Sequence, residues 1–381
     1  MSAATNHGRR VLLAGGGSGG HVFPALAVGD ELAARGWQVD FAGAAGGMEA
    51  RLVGERGLSF HPLPALPFVG RGLVDRLRAL WTLVRSIFAA RRLIRGLGIA
   101  VVVGTGGYVS APAVLGAALA GRPSLLLEPN AVPGTANRWL SLWASDAAIA
   151  FDGCAGLLRC GAGVTGVPVR AEFAALPDEP ARREPLRMLV AGGSQGAEQL
   201  NRLVPAALGR LAAEGRLPAL SVLHQAGRGK VEPTEEAYRS AGLTTGSAAG
   251  SGPEVRVADF VADMAAELGA AHLVVSRAGA ITAAEICNAG RASLLVPLTL
   301  AGGHQADNAR ALAEAGAAVV LPSAGLAAEP LAGELGALLA DRGRLAAMGR
   351  AARSLARPDA AAAIAERVER LAGPPAAQEA A

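Results

Sequence analysis

Short runs of apolar, largely β-branched residues recur along the chain, each followed by a turn and then by apolar residues at helical spacing. Runs at 11–14, 37–41, 99–103, 124–127 and 146–150 form one set; those at 187–191, 220–224, 254–258, 272–275, 293–297 and 317–321 form a second. Strands that are apolar throughout, rather than alternating, are covered on both faces. Their separation by helices predicts parallel sheets of doubly wound α/β type. The stretch 167–184 breaks the rhythm with Pro168, Pro177, Pro180 and mixed charges, and reads as an interdomain linker. The expected domains are 1–167 and 168–357, with a closing helix over 358–372 packing back on the first and a frayed tail beyond it. A weak internal repeat supports the division: VLLAGGGSGGH at 11–21 and MLVAGGSQGAEQLN at 188–201 are each a strand, a glycine loop and a helix start. In such domains ligands sit at the carboxyl ends of the strands.

One uncharged stretch, 99–121, is long enough to span a bilayer. Gly104, Gly106, Gly107 and Pro112 interrupt it, so a buried strand, a glycine loop and a helix are expected instead. Residues 1–10 are polar and lead straight into a strand, which predicts no signal peptide. The 381 residues are 51% hydrophobic and 18% charged, which excludes disorder over most of the length, and the 51 glycines follow no Gly-X-Y period. A net charge of +4 admits anionic partners but is too weak for a nucleic-acid binder, and 4% aromatics leaves little for base stacking. The three cysteines, Cys154, Cys160 and Cys287, make no C-x-x-C pair, as in a reduced cytoplasmic protein.

Candidate chemistry begins at the glycine loops. GGGSGG at 15–20 satisfies G-x-G-x-x-G between a strand and a helix, and Asp40 follows Gly20 by 20 residues. That is a dinucleotide-binding fingerprint, so an NAD-dependent oxidoreductase is one reading. His21 follows the loop directly, either as an imidazole able to take a proton at neutral pH or as a residue that caps the loop. GTGGY at 104–108 and GGSQG at 192–196 end two further strands, the latter suited to a phosphate at a helix start. The segment 276–285, SRAGAITAAE, would present free amides at 279–282 to a diphosphate, with Glu285 one turn on, placed for ribose hydroxyls or for simple solvation. No D-x-D and no His/Cys cluster supplies metal ligands, and no cofactor is expected.

The ordered set GGGSGGHVFPALAV, GTGGYVSAP, LEPNAVPGTANRWL, GVPVR, VAGGSQGAEQLN and SRAGAITAAEICNAG…HQADNA resembles the MurG family over about 11–370. These are the UDP-N-acetylglucosamine–N-acetylmuramyl-(pentapeptide) pyrophosphoryl-undecaprenol N-acetylglucosamine transferases of peptidoglycan synthesis. The resemblance implies a GT-B fold, two Rossmann-like domains facing across a cleft. It implies inverting transfer of GlcNAc from UDP-GlcNAc to the 4-hydroxyl of the muramyl sugar of lipid I, a polyprenyl-linked acceptor, giving lipid II. It places Ser18, Gly19, Gly20 and Asn130 by the donor sugar, and Arg170 and Ser194 at the diphosphate. It sets Val261 by the uracil and makes Ala280, Ile281, Thr282, Ala283, Ala284 and Glu285 the diphosphate and ribose cradle, with Gln305 on the sugar hydroxyls. His21 becomes the candidate base, with Tyr108 and Glu128 on the acceptor side. Leu127 and Pro129 depart from the family's more polar pattern, as does the Gly302-Gly303 pair before His304.

A non-catalytic nucleotide-sugar-binding protein is the third reading. The membrane enters through 71–95, where seven arginines (71, 76, 78, 85, 91, 92, 95) accompany one acid, Asp75. Leu77, Leu80, Trp81, Val84, Ile87 and Phe88 recur there at helical spacing. The segment is either an ordinary packed helix or a basic amphipathic one. For an enzyme whose acceptor is lipid-anchored, the second reading predicts peripheral attachment to the anionic cytoplasmic face of the membrane.

Overall fold

The structure, a computed structural model, describes residues 8–17, 19–64, 73–177, 180, 185–193, 196–246, 253–298 and 303–374, with side chains left aside at 73–77, 108 and 174. Among the expected features, Ser18, Arg71, Ser194, Gly302, part of the linker (178–179, 181–184), the tail from 375 and the side chains of Asp75, Arg76, Leu77 and Tyr108 lie outside it. The chain divides into two compact units: one runs to Arg170 and takes in the segment from Asp359, the other is Ala171–Pro358.

The first unit is a seven-stranded sheet built from β1 (Arg10–Ala14), β2 (Gln38–Ala44), β3 (Ser59–Leu63), β4 (Ile99–Gly104), β5 (Ser124–Glu128), β6 (Asp146–Ile149) and β7 (Gly161–Val164). All described pairings are parallel, in the order β3-β2-β1-β4-β5-β6-β7, so the winding reverses between β1 and β4. Successive residues of β1 serve opposite faces. Val11 and Leu13 pack with Val22, Leu26 and Ile364, whereas Leu12 and Ala14 pack with Ile94, Ala113 and Ala117. This two-sided burial is why the strands read as unbroken apolar runs. The helix Ala360–Ala372 belongs to this unit: Ile364, Ala365 and Val368 enter its core, and Arg367 and Glu369 pair with Asp146 and Arg35 at 3.0 and 3.1 Å.

The second unit repeats the plan with β8 (Leu186–Ala191), β9 (Leu220–Gln225), β10 (Glu254–Ala258), β11 (Leu273–Ser276), β12 (Ala292–Leu295) and β13 (Ala318–Val320). Its six parallel strands run β10-β9-β8-β11-β12-β13, reversing between β8 and β11. The two sheets are therefore two doubly wound α/β domains of like topology, as expected.

Two strands escape the sequence pattern, β3 and β7, and both are sheet edges. In β3, Ser59-Phe60-His61-Pro62-Leu63, the proline has no N–H to give, which an edge tolerates. In β7, Gly163 lacks a side chain where the Arg367 guanidinium crosses to reach Asp146. The uncharged stretch resolves into β4, a glycine turn and the helix Gly107–Ala120. Among the described residues no helix is long and apolar enough to cross a membrane.

Candidate active site

In the first unit the carboxyl ends of β1, β4 and β5 are adjacent, with Ala14 opposite Gly104 and Gly104 opposite Leu126. The loops that leave them converge at the point where the winding reverses, the usual ligand position in an open α/β sheet. β1 opens into Gly15–Gly17 and the helix Gly19–Ala34, whose first turn carries His21. β4 opens into Thr105, Gly106 and Gly107. The two glycines have φ of +92° and +76°, a conformation that other residues seldom adopt, and they bring bare backbone against the His21 ring.

His21 Nδ1 lies 2.7 Å from the Thr105 carbonyl oxygen. A carbonyl only accepts, so Nδ1 carries the proton and Nε2 keeps its lone pair. Burial lowers the His21 pKa below the ordinary 6.5, against smaller opposing effects of the Thr105 bond and the Glu128 charge. The result is a neutral imidazole, held by one nitrogen and basic at the other.

Glu128, the last residue of β5, is almost fully buried. Its Oε1 accepts from the backbone and side-chain nitrogens of Asn130 at 3.0 and 2.9 Å. Its Oε2 accepts from the Gly134 amide at 2.8 Å and Asn137 Nδ2 at 2.9 Å. With four donors satisfied inside the protein, this carboxylate shapes the loop 129–134. Cys154 binds the same loop from below, its thiol donating to the Asn130 and Ala131 carbonyls at 3.0 and 3.1 Å. Burial, helped by the Glu128 charge, pushes that thiol up to about 12, so it stays a protonated donor. Asn137 lies within the segment LEPNAVPGTANRWL but was given no role from the sequence, and Cys154 was read there only as one of three cysteines without a C-x-x-C partner. A small cavity above these groups is lined by Gly20, Pro24, Thr105, Glu128, Pro129 and Pro168.

Asp40 does not lie at this site. It pairs with Leu12 in mid-sheet, and its buried carboxylate holds the Arg10 guanidinium at 2.9 Å and His61 Nε2 at 2.8 Å. The dinucleotide reading thus loses the group meant for the ribose. Arg170 is the last residue of the first unit, ahead of the short helix Ala171–Ala174.

In the second unit the ends of β8, β11 and β12 are adjacent, Ser276 lying opposite both Ala191 and Leu295. After β11 the chain turns at Arg277–Gly279 into the helix Ala280–Ala289, with Gly279 as an N-cap that lends no side chain. Ala280, Ile281 and Thr282 form the first turn, Ala283 is buried, and Ala284 and Glu285 are half-buried one turn in. The turn is braced by Asn308 Nδ2 on the Ala278 carbonyl (3.2 Å) and by Arg277 on the Val296 carbonyl (2.9 Å) and Gln199 (3.2 Å). Gln305, in the first turn of the helix His304–Glu314, accepts the Leu298 amide at 3.0 Å. Val261 is buried just beyond β10.

Gly196 packs against the Ala226 carbonyl, which accepts from Asn201 at 2.9 Å. Asn201 Oδ1 in turn accepts from His224 (3.1 Å), whose other nitrogen meets the Tyr238 hydroxyl at 2.9 Å. Burial lowers the His224 pKa to about 3, which keeps this chain of bonds neutral. Among the described residues no group of three or more His, Cys, Asp or Glu side chains is arranged to hold a metal ion.

Family models of the glycosyltransferase family 28 N-terminal and C-terminal domains match residues 11–149 and 187–364. The UDP-N-acetylglucosamine--N-acetylmuramyl-(pentapeptide) pyrophosphoryl-undecaprenol N-acetylglucosamine transferase of Stutzerimonas stutzeri (strain A1501) is 46% identical over 358 residues, 93% of this chain and 96% of that protein. The crystal structure of Acinetobacter baumannii MurG superposes with a TM-score of 0.78 at 33% identity, covering 95% of this chain and 99% of that one. The chain belongs to the MurG family of glycosyltransferases. A relative of the same name from Acidithiobacillus ferrooxidans (strain ATCC 53993 / BNL-5-31) is 45% identical over 360 residues, again 93% of this chain and 96% of that protein. Membership makes the chain an enzyme, an N-acetylglucosaminyltransferase of GT-B fold, and the oxidoreductase reading is set aside.

Proposed function

We infer that this enzyme transfers GlcNAc from UDP-GlcNAc to the 4-hydroxyl of the muramyl sugar of lipid I, releasing UDP and giving lipid II, with inversion at the sugar carbon. The observation that carries the chemistry is the bond from His21 Nδ1 to the Thr105 carbonyl, which leaves Nε2 as the proton acceptor. As the acceptor oxygen attacks the anomeric carbon and the bond to UDP breaks, its proton passes to His21 Nε2. Glu128 acts through position: it orders the loop that carries Asn130, and its charge favours the imidazolium that forms. Tyr108 borders the acceptor in this reading.

The donor belongs to the second unit. The amides of Ala280, Ile281 and Thr282 meet the diphosphate, where the helix end carries about half a positive charge that favours departure of UDP. Glu285 accepts from the ribose hydroxyls, and the backbone at Val261 reads the uracil. Gln305, whose oxygen is already used, offers its amide nitrogen to the sugar. Ser194 and Arg170 complete the phosphate contacts, and Ser18, Gly19, Gly20 and Asn130 the sugar contacts.

The enzyme works at the cytoplasmic membrane face as a peripheral protein. This is supported by the helix Leu73–Gly96, which packs through Ala79, Ser86, Ala90 and Ile94 and leaves Trp81, Leu80 and Phe88 64%, 51% and 54% exposed among arginines. Thermal shift separates this function from dinucleotide binding: UDP-GlcNAc at saturating concentration should raise the melting temperature by several degrees, and NAD should leave it unchanged. Stabilisation by NAD and not by UDP-GlcNAc would refute it.

A further inference from the structure

Beneath the first glycine loop lies a carboxylate that the transfer reading leaves without a part. Glu49, in the first turn of the helix Met48–Glu55, is fully buried. Its partners among the described residues are backbone amides: Oε1 accepts from Ala44 at 3.0 Å and Oε2 from Gly17 at 3.4 Å. Gly16, Gly43 and Gly47 make the space it fills, since a Cβ on any of them would run into the Glu49 side chain. Nucleotide-binding glycine loops offer such amides to a ligand's phosphates. Here the protein's own anion sits against the loop.

The loop so held lies under the base. A Cβ placed on Gly107 would stand 3.4 Å from the Gly16 carbonyl oxygen and 3.5 Å from His21 Cδ2, so the Gly16 backbone and the imidazole both close on the bare face of Gly107. Gly17, at φ +82°, is the turn from which the chain enters the helix bearing His21. We propose that Glu49 is a positioning residue for the transfer: as the internal counter-anion of the first glycine loop it fixes Gly16 and Gly17, and through them the seat of His21. The inference rests on the reading of His21 as the acceptor-side base.

Glu49→Gln fills the same space but has one acceptor oxygen and turns an NH2 toward the other amide, so one of the two backbone bonds is lost. The expected result is a fall in kcat of about tenfold, the usual scale for a hydrogen bond to a charged group, with the Kd for UDP, whose contacts lie in the second unit, unchanged. In a His21→Asn background the same substitution should cost less than twofold, because a positioning group has nothing left to position. A wild-type kcat for Glu49→Gln, the same tenfold loss in both backgrounds, or a parallel loss of UDP affinity would each overturn the role. If Glu49→Gln does not accumulate as folded protein, Gly17→Ala perturbs the same amide from the loop side and should show the same split; normal turnover in that variant overturns the role equally. These outcomes are separate from failure of the base reading, which a normal rate for His21→Asn alone would signal and which would carry this proposal with it.

Discussion

His21 can take a proton only while Nε2 is free, and its burial sets the pH range over which that holds. Because burial lowers its pKa, the neutral form persists to more acid pH than in a free histidine, and the protonated, inactive form accumulates only below 6.5. The acid limb of kcat/KM, which reports the free enzyme, should therefore have its midpoint below pH 6.5. His21→Asn should lower kcat by about 10²–10⁴-fold and abolish that limb, while calorimetry finds UDP-GlcNAc binding as before. A limb that persists in the variant would assign it to another group. At this scale the sequence was partly legible. His21 could be singled out from its place after six residues of which five are glycine, because that local geometry is set by neighbours in the chain. The Thr105 carbonyl that fixes its tautomer stands 84 residues away and is a backbone atom, invisible to any residue pattern. Glu128 could be singled out as a candidate, but not that four donors inside the protein would satisfy its carboxylate. Glu49 was missed altogether, although Gly43 and Gly47 just before it hint that something packs against bare backbone there.

The helix Leu73–Gly96 shows what amphipathic spacing conveys and what it leaves open. Its periodicity marks an apolar stripe at Leu80, Trp81, Val84 and Phe88, but only the fold tells which side faces the sheet. Small residues face inward: Ala90 and the backbone near Arg91 close on Gly116 of the neighbouring helix. The large apolar residues are therefore left outward, joined on this unit by exposed Leu119, Trp139, Leu142 and Trp143. Aromatics beside arginines suit the interface of an anionic bilayer. Trp81→Ser with Phe88→Ser should lower co-sedimentation with anionic vesicles at least tenfold and leave kcat on a soluble acceptor analogue intact. Arg85→Gln with Arg92→Gln should make the remaining binding less salt-sensitive. Arg91 is a poorer choice than its neighbours, since it donates to the Leu119 carbonyl at 3.1 Å and so also ties two helices. Undiminished sedimentation of the aromatic pair would move the docking surface elsewhere. The two missed strands belong to this scale as well. Central strands are specified by burial on both faces, whereas β3 and β7 are held from one side and need little apolar sequence.

Across the whole molecule, one topology occurs twice with different work in each copy. In the first unit the glycine loop is backed by an internal carboxylate and leads to a neutral base. In the second, Gly196 packs on the Ala226 carbonyl, which a neutral Asn201–His224–Tyr238 chain holds, and the nearby helix Ala280–Ala289 offers its uncapped first turn. That asymmetry favours an anionic donor in the second unit and an acceptor hydroxyl in the first, the division that a sugar transfer needs. The repeat of strand, glycine loop and helix was readable from sequence; the difference between the copies was not, because Glu49 and His224 act on loops far from them in the chain. The most direct test incubates the purified full chain with UDP-GlcNAc and a lipid I analogue of short polyprenyl length, following products by mass spectrometry. One GlcNAc added to the muramyl sugar for each UDP released, strictly dependent on the acceptor and slowed at least 100-fold by His21→Asn, is the predicted result. UDP release that ignores the acceptor, or no added sugar under conditions where UDP-GlcNAc binds, would contradict it.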